Sequence, residues 1–365
     1  MRIELKQVLY PQPKSKIKAS DGKSEGKYKF FTSSPMQTRF IDEANYDKPS
    51  LIFGTGGNAS VHFCDEPFST STDCLVMYGR NKIELESIYN YLKSNISLLE
   101  HGFKGAGLKH ISKDYILAIE IELPSEAMQH EFLQKNRIVD EIIEAKRTQL
   151  LLNEDLVKSR FIELFGDPVT NPYGWQQLTV NDVCVSVVRG PFGSALKKEF
   201  FVPPSDTTYK VYEQKHAIQK SSTIGTYYVT AEKYNELQRF ECHSGDILMS
   251  CSGTMGELYQ LPAGCERGII NQALCKFTLN ERILPIAFLA YMRETIGNLE
   301  TKGSGIQNIA AVSYVKAMPI NLPPMRVQEQ FAAFVKQTDK SKFEIQQSLE
   351  KLEILKKSLM QQYFG

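Results

Sequence analysis

The sequence predicts an α+β protein in which two globular units of mixed α/β structure alternate with two long α-helices. Two observations lead to this prediction. The stretch 125–165 contains neither glycine nor proline and is followed at once by Gly166. A similar stretch returns at 323–365, at the end of the chain. An internal repeat on this scale constrains the fold more strongly than any local motif.

The first globular unit is expected over residues 1–123. Three short apolar runs separated by turn-rich segments predict β-strands, at 28–31, 50–53 and 74–78. A helix is expected from Glu84 to about Leu99. A turn at 104–107 and a strand from Ile116 to Leu123 should then lead into the first long helix.

The first long helix is predicted within 124–166. Its apolar seam repeats every seven residues, at Ile143, Leu150, Val157 and Leu164. A leucine-proline pair precedes it and Gly-Asp-Pro follows it, which are typical helix boundaries. At about 1.5 Å per residue it would be roughly 60 Å long. An apolar repeat every seven residues is typical of an amphipathic helix with a coiled-coil seam.

Residues 167–174 are rich in helix breakers and predict a linker. The second globular unit should follow over 175–322, and the second long helix over 323–365. The expected elements of the second unit are strands at 209–212, 246–250 and 273–279 and a helix near 286–299.

The ends of the two long helices, Gly166 and Gly365, differ by 199 positions, and so do the Leu-Pro pairs at 123 and 322. The run 28–31 matches 209–212. The opening of the first unit contains no evident counterpart of 187–194. The sequence therefore predicts one module copied in tandem, with strongly diverged residues.

Composition excludes several classes of protein. The formal net charge is only +1, and no apolar run approaches the eighteen or more residues of a membrane span. The N-terminus lacks the apolar core of a signal peptide. Seven cysteines without CxxC spacing favour reduced thiols in a cytoplasm rather than disulfides or a zinc site.

Charge is unevenly distributed. Residues 1–30 contain eight lysines and arginines against three acidic residues, and 189–220 contain six against three. A solvated basic surface explains either patch alone. Their presence in both units favours a polyanion that is bound twice.

The motifs for catalysis are missing. The lysine-glycine segments 104–107 and 302–305 resemble phosphate-binding loops, but neither GxxxxGK[ST] nor GxGxxG is present. Each segment is interpreted as a tight turn, or as a turn whose backbone contacts DNA phosphates. Neither a catalytic constellation nor a cofactor or metal motif is predicted.

The duplicated segments carry a resemblance to a known family. They are 105–111, 123–125 and 129–131 in the first copy and 302–309, 318–325 and 328–330 in the second. In order and duplication they resemble the specificity subunit of type I restriction-modification systems.

That resemblance implies two target recognition domains joined by an antiparallel coiled-coil spacer with a pseudo-twofold axis. It implies binding to double-stranded DNA at a bipartite, asymmetric sequence, with helix length setting the gap between half-sites. It also implies two methyltransferase subunits, which use S-adenosylmethionine, and two restriction subunits, which use ATP and magnesium. This chain itself would be non-catalytic and would hold no cofactor.

Candidate DNA contacts are basic and small polar residues on or beside the predicted strands and turns. They are Lys27, Lys29, Thr55, Asn58 and Lys104 in the first unit and Arg189, Lys197, Lys198, Lys210, Ser252, Thr254 and Lys302 in the second. Phe161 and Phe331 flank the helix seams and are expected to be exposed for docking of partner subunits.

Two alternatives remain open from sequence. One is a self-sufficient DNA-modifying enzyme, which would require a cofactor site. The other is a coiled-coil scaffold with two sugar- or peptide-binding heads, which would show no salt-dependent DNA binding.

Overall fold

The computed structural model describes residues 1–105, 107, 109–296, 301–302, 308–309 and 312–365, with only the backbone at 301–302 and 308–309. The chain divides into two compact units. The first consists of 1–149 with 344–365, and the second of 150–343.

Within the described residues, the first unit is built from short strands, short helices and parts of both long helices. The strands are β1 (Arg2–Glu4), β2 (Leu9–Pro11), β3 (Tyr28–Phe31), β4 (Arg39–Ile41), β5 (Ser50–Gly54), β6 (Ser60–Cys64), β7 (Phe68–Thr70), β8 (Cys74–Gly79) and β9 (Glu120–Glu122). The short helices are α1 (Lys82–Ser94), α2 (Ser97–Glu100) and α3 (Lys113–Leu117), and the first long helix is α4 (Glu126–Phe165).

Two sheets form the body of the first unit. Strands β2-β8-β5-β6 make an antiparallel sheet, and β4-β3-β7 make a second sheet in which β3 and β7 are parallel. A separate pair, β1 with β9, brings the N-terminus beside the strand that leads into α4. The main core lies between the antiparallel sheet and α1, around Leu51, Met77 and Ile88.

The second unit follows the same order. Its strands are β10 (Gln176–Thr179), β11 (Cys184–Arg189), β12 (Thr208–Tyr212), β13 (Tyr228–Thr230), β14 (Glu241–Cys242), β15 (Ile247–Ser250), β16 (Leu258–Gln260), β17 (Gly268–Ile270), β18 (Leu274–Leu279), β19 (Thr301–Lys302), β20 (Asn308–Ile309) and β21 (Pro319–Leu322). Its helices are α5 (Gln214–Ile218), α6 (Ala231–Glu236), α7 (Pro285–Thr295) and α8 (Val312–Ala317), and the second long helix is α9 (Met325–Phe364).

The sheets of the second unit reproduce those of the first. Strands β11-β18-β15-β16 match β2-β8-β5-β6, and β13-β12-β17 match β4-β3-β7 with the same parallel pair, to which β14 is added. The backbone amide of Thr55 donates to the Asp73 carbonyl at 2.9 Å, and that of Cys251 donates to Ala273 at 2.8 Å. The predicted internal repeat is therefore confirmed strand by strand.

Both long helices contain 40 residues, and their starts and ends lie 199 positions apart, as predicted. They pair in antiparallel orientation within each unit. In the first unit Phe132 contacts Tyr363 and Phe364, and Asp140 forms an ion pair with Lys356.

In the second unit the same orientation recurs. Phe161 packs on Phe331, and Arg160 lies over the ring of Phe334. The predicted antiparallel helix pair is therefore confirmed, because sequence numbers fall along one helix as they rise along the other.

One expectation about the helices is wrong. Phe161 and Phe331 are buried, not exposed for docking, and they join Phe165 and Tyr291 in the core of the second unit. A helix that packs on both a partner helix and a globular domain buries more than one seam, so flanking aromatic residues are also covered.

Two smaller differences concern the first unit. The segment expected as one strand from Ile116 to Leu123 divides into the end of α3 and the short strand β9. Ser112 caps α3 by accepting the amide of Tyr115, so the segment begins as a helix. In addition, β2 pairs with β8 as β11 pairs with β18, so the opening of the first unit contains a strand equivalent to the first part of β11.

Candidate nucleic-acid interface

In the first unit three candidate residues come together at one end of the antiparallel sheet. The Thr55 hydroxyl donates to the Asp73 carbonyl at 2.9 Å, and the Thr55 carbonyl accepts the amide of Ile111 at 3.1 Å. His110 exchanges both backbone hydrogen bonds with Lys104 at 3.0 Å. The structure thus places the Lys104 turn against the loop that contains Thr55 and Asn58, a set we call the first loop edge.

The first loop edge is open to solvent. Asn58 and Lys104 are exposed, and Thr55 is half-buried. Gly57 has a φ of +80° and nothing within 4 Å of the position that a Cβ would take. Glycine permits this left-handed turn without strain, and the residue that follows it, Asn58, is exposed to solvent.

Lys27 and Lys29 lie at the other end of β3. The residue that reaches the first loop edge is Ser33, whose hydroxyl donates to the Asp73 carbonyl at 2.6 Å and accepts the Gly56 amide at 3.3 Å. Ser33 lies four residues after Lys29, or about 13 Å along an extended chain. Both lysines are exposed, and Lys29 lies 3.4 Å from Glu66.

The second unit builds an equivalent edge from different residues. Strands β11 and β15 end, and β18 begins, at the same end of the sheet. The Gly190 amide donates to the Leu274 carbonyl at 3.0 Å and the Cys251 amide to the Ala273 carbonyl, so the loop after Arg189 and the loop that contains Ser252 and Thr254 lie on the two sides of the start of β18. We call this set the second loop edge.

Internal hydrogen bonds shape the Ser252–Thr254 turn. The Ser250 hydroxyl donates to the Thr254 carbonyl at 2.6 Å, and the Gln214 side-chain amide donates to the same oxygen at 3.4 Å. Thr254 is exposed and Ser252 is half-buried. The side chain of Thr254 therefore projects outward from a loop that its own backbone holds in place.

Lys197 and Lys198 follow the loop after Arg189. Both are exposed, and Lys197 lies 3.6 Å from Glu199. The Arg189 side chain is largely buried, with its guanidinium 4.9 Å from the ring centroid of Phe192. Sequence reasoning missed Phe192, although an aromatic residue between glycines in a basic segment was visible.

Lys210 does not join the loop edge. Its side chain is only 1% exposed and its ammonium donates to Glu266 at 2.6 Å. The hydroxyl of Tyr228 donates to the other carboxylate oxygen at 2.9 Å. Burial raises the pKa of Glu266, but the hydrogen bonds from Lys210 and Tyr228 outweigh it and bring the pKa below its usual value.

Lys302 pairs through its backbone with Asn308, as Lys104 pairs with His110, so the two lysine-glycine segments begin alike. Its side chain lies outside the described residues, and so does the predicted turn at 303–305.

Comparison with known proteins decides the family. A family model described as the type I restriction modification DNA specificity domain matches residues 2–153 and 172–356. The chain belongs to this family. It is therefore a DNA specificity subunit of the type I restriction-modification class, as the resemblance implied.

Solved structures agree on the fold. The chain is similar to the S subunit of a type I restriction-modification system from M. genitalium, with 15% identity and a TM-score of 0.58, over 100% of this chain and 96% of that one. It is also similar to a structure described as the basis of complex assembly and conformational transition of the type I R-M system. There the identity is 14% and the TM-score 0.67, over 100% of this chain and 97% of that one.

Two features are absent from the described residues. No helix among them combines the length and hydropathy needed to cross a membrane. Likewise, no group of three or more His, Cys, Asp or Glu side chains in the described ranges is placed to hold a metal ion.

Proposed function

We propose that this specificity subunit recognises a bipartite, asymmetric DNA sequence, with one half-site for each target recognition domain. The domains are taken as residues 1–123 and 175–322. The observation that carries the proposal is the pair of loop edges. They occupy the same place on the same sheet topology but present different side chains. Two such surfaces suit two different half-sites.

The chemistry of each edge fits groove recognition. Asn58 and Thr254 project polar groups that can contact base edges, because amides and hydroxyls match the hydrogen-bonding pattern of the major groove. Lys104 in the first edge and Lys198 after the second are exposed cations suited to phosphates, and exposed Lys27, at the far end of β3, would contact the backbone away from the first edge. Lys210 is assigned to the interior of its domain instead, since Glu266 binds its ammonium.

Methylome sequencing tests this proposal. The subunit would be expressed with its methyltransferase, and modified positions mapped across the host DNA. The expected result is a split motif with unequal halves. Alanine at both Thr55 and Asn58 should relax one half, and alanine at both Ser252 and Thr254 should relax the other. A continuous motif, or one change relaxing both halves, would contradict the proposal.

We propose further that the long helices, within 124–166 and 323–365, set the gap between the half-sites. Each helix has 40 residues, so removal of seven from both preserves the pairing register. The loss of about 10 Å should shorten the gap by roughly three base pairs. An unchanged gap would rule out this role.

Partner subunits are proposed to bind the outer surface of the helices. Large apolar side chains are exposed along α4, at Ile138, Ile142, Leu151, Leu152, Leu156 and Ile162. Exposed apolar side chains that form a patch mark protein interaction sites, and we propose that these residues belong to one. We propose that two methyltransferase subunits with S-adenosylmethionine and two restriction subunits with ATP and magnesium assemble on this non-catalytic chain.

The repeat supplies a matched control for that interface. Serine at both Leu151 and Leu152 should weaken co-purification of the methyltransferase, because both side chains are exposed and apolar. Serine at both Glu350 and Lys351, the positions 199 residues later, should leave it unchanged. Equal effects of the two double variants would argue against an apolar interface on α4.

A further inference from the structure

Phe192 is a large aromatic side chain at the second loop edge, and it is 63% exposed. Single exposed apolar residues are common on protein surfaces, so exposure alone indicates little. The backbone around Phe192 and the charges beside it indicate that the exposed ring binds a ligand.

The backbone holds residue 192 in a defined turn. A Cβ on Gly190 would lie 1.9 Å from the Asn271 carbonyl oxygen, so only glycine allows this approach. Pro191 is buried and fixes its own φ. Gly193 has a φ of +68°, which favours glycine. Gly190 and Pro191 thus fix the backbone before Phe192, Gly193 allows the turn after it, and the ring between them is exposed to solvent.

The surroundings of Phe192 are cationic. The Arg189 guanidinium lies against the ring at 4.9 Å, a cation–π arrangement that orients the side chain. Lys197 and Lys198 are exposed in the same segment, and the single acid there, Glu199, lies 3.6 Å from Lys197, so the three cations outnumber it. An apolar ring inside a cationic surface matches DNA, where phosphates surround apolar base faces and thymine methyl groups.

We propose that Phe192 is a base-contacting residue of the second target recognition domain, and that its ring makes an apolar contact with bases of the second half-site. This inference rests on the proposed function. Neighbouring cations anchor the phosphates on either side, and the rigid turn directs the ring into the groove. Apolar side chains read DNA either against a thymine methyl group or as a wedge at a base step.

The test uses the assembled complex with its methyltransferase and a duplex that carries the methylome-derived target, compared with a scrambled duplex. Phe192→Ala should weaken binding to the target by about 5-fold to 150-fold, the range for losing one base-pair contact. Binding to the scrambled duplex should not change. Phe192→Leu should retain most of the affinity, because the contact is apolar.

Two control variants separate this effect from others. Val185→Ala removes an exposed apolar side chain from the start of β11, the strand before Phe192, and should leave binding to both duplexes unchanged. Lys198→Ala should weaken target and scrambled binding equally and reduce the salt dependence, as loss of a phosphate contact does.

The outcomes are distinguishable. Loss confined to the target, and relaxed preference at a base pair of the second half-site, supports the inference. Equal loss on both duplexes, no loss, or weaker methyltransferase binding alone overturns it, the last in favour of a protein contact. If the unaltered complex does not discriminate the two duplexes, the proposed function itself fails.

Discussion

The two target recognition domains share a topology but stabilise it differently. In the first, Lys29 pairs with Glu66 on the surface, and the lysine side chain is 46% exposed. In the second, the equivalent strands carry Lys210 and Glu266, with the lysine buried. Each glutamate lies two residues before the strand residue that pairs with its lysine. The same ion pair has therefore been kept in both copies but in different solvent environments.

The two domains differ more at Lys276, which belongs to a buried ion pair in the second domain and has an apolar counterpart in the first. Lys276 is buried 3.3 Å from Asp246, which also accepts the hydroxyl of Thr278. In the first domain the equivalent strand register places Val76 opposite Ile52, where the second domain pairs Lys276 with Leu248. The fold thus accepts either a charged or an apolar residue at this point. We infer that the charge pair is not what specifies the fold.

The largest expected effect tests that inference. Asp246→Ser should destabilise the second unit by about 3–5 kcal/mol, because it leaves the buried Lys276 ammonium without its counter-ion. Adding Lys276→Val should restore most of the loss, since apolar replacement of a buried pair is often neutral. Urea unfolding followed by the fluorescence of Trp175, the single tryptophan, measures both changes. If the double variant stayed as unstable as the single one, the charge pair would be needed for the fold.

A smaller difference should separate the duplicated lysine-glutamate pairs. Glu266→Ala should cost about 2–3 kcal/mol, because Lys210 has almost no access to water, although the half-exposed Glu266 brings the cost below that of a fully buried pair. Glu66→Ala should cost less than about 0.5 kcal/mol, since exposed pairs contribute little. Calorimetric melting of both variants compares them, and equal shifts would contradict the role given to burial.

The pH dependence of Glu266→Ala sharpens this contrast. The folded-state pKa of Glu266 is lowered, so its ionised form stabilises the fold above its unfolded pKa of about 4.3. That contribution is lost as the pH falls through the folded value. The stability difference between the parent chain and Glu266→Ala should therefore be largest near neutral pH and shrink towards pH 3. A difference that grew with acid would mean that the pKa is raised instead.

The smallest expected effect concerns single phosphate contacts. Lys27→Ala in the first domain and Lys198→Ala in the second should each weaken DNA binding by severalfold and reduce the slope of log affinity against log salt by about 1. Binding titrations at several salt concentrations measure the slope. Lys210→Met should leave the slope unchanged, because that ammonium already binds Glu266. A reduced slope for that variant would indicate that Lys210 contacts a DNA phosphate.

Much of the architecture was predictable from local signals. Helix boundaries at Glu126, Phe165, Met325 and Phe364 follow from proline before and glycine after each helix, and the repeat follows from their 199-residue offset. Strands β3, β5 and β8 were found within a residue because apolar runs between turns define them locally. These features depend on neighbours in sequence.

Side-chain environments were set by tertiary structure alone. Phe161 and Phe331 look like flanking residues on a helical wheel, yet a globular domain covers both. Lys29 and Lys210 occupy matching strand positions, but only packing decides that one faces water and the other is enclosed. The grouping of Thr55 with Lys104 likewise required the hydrogen bond between Thr55 and Ile111, which lie 56 residues apart in the chain.

The sequence by itself determined the family, the duplicated order of elements and the two long helices. Periodicity, helix boundaries and repeat spacing follow directly from the order of residues. The tertiary structure decided which charges are buried and which loops meet. Burial and proximity depend on contacts between residues far apart in sequence, which no local pattern records.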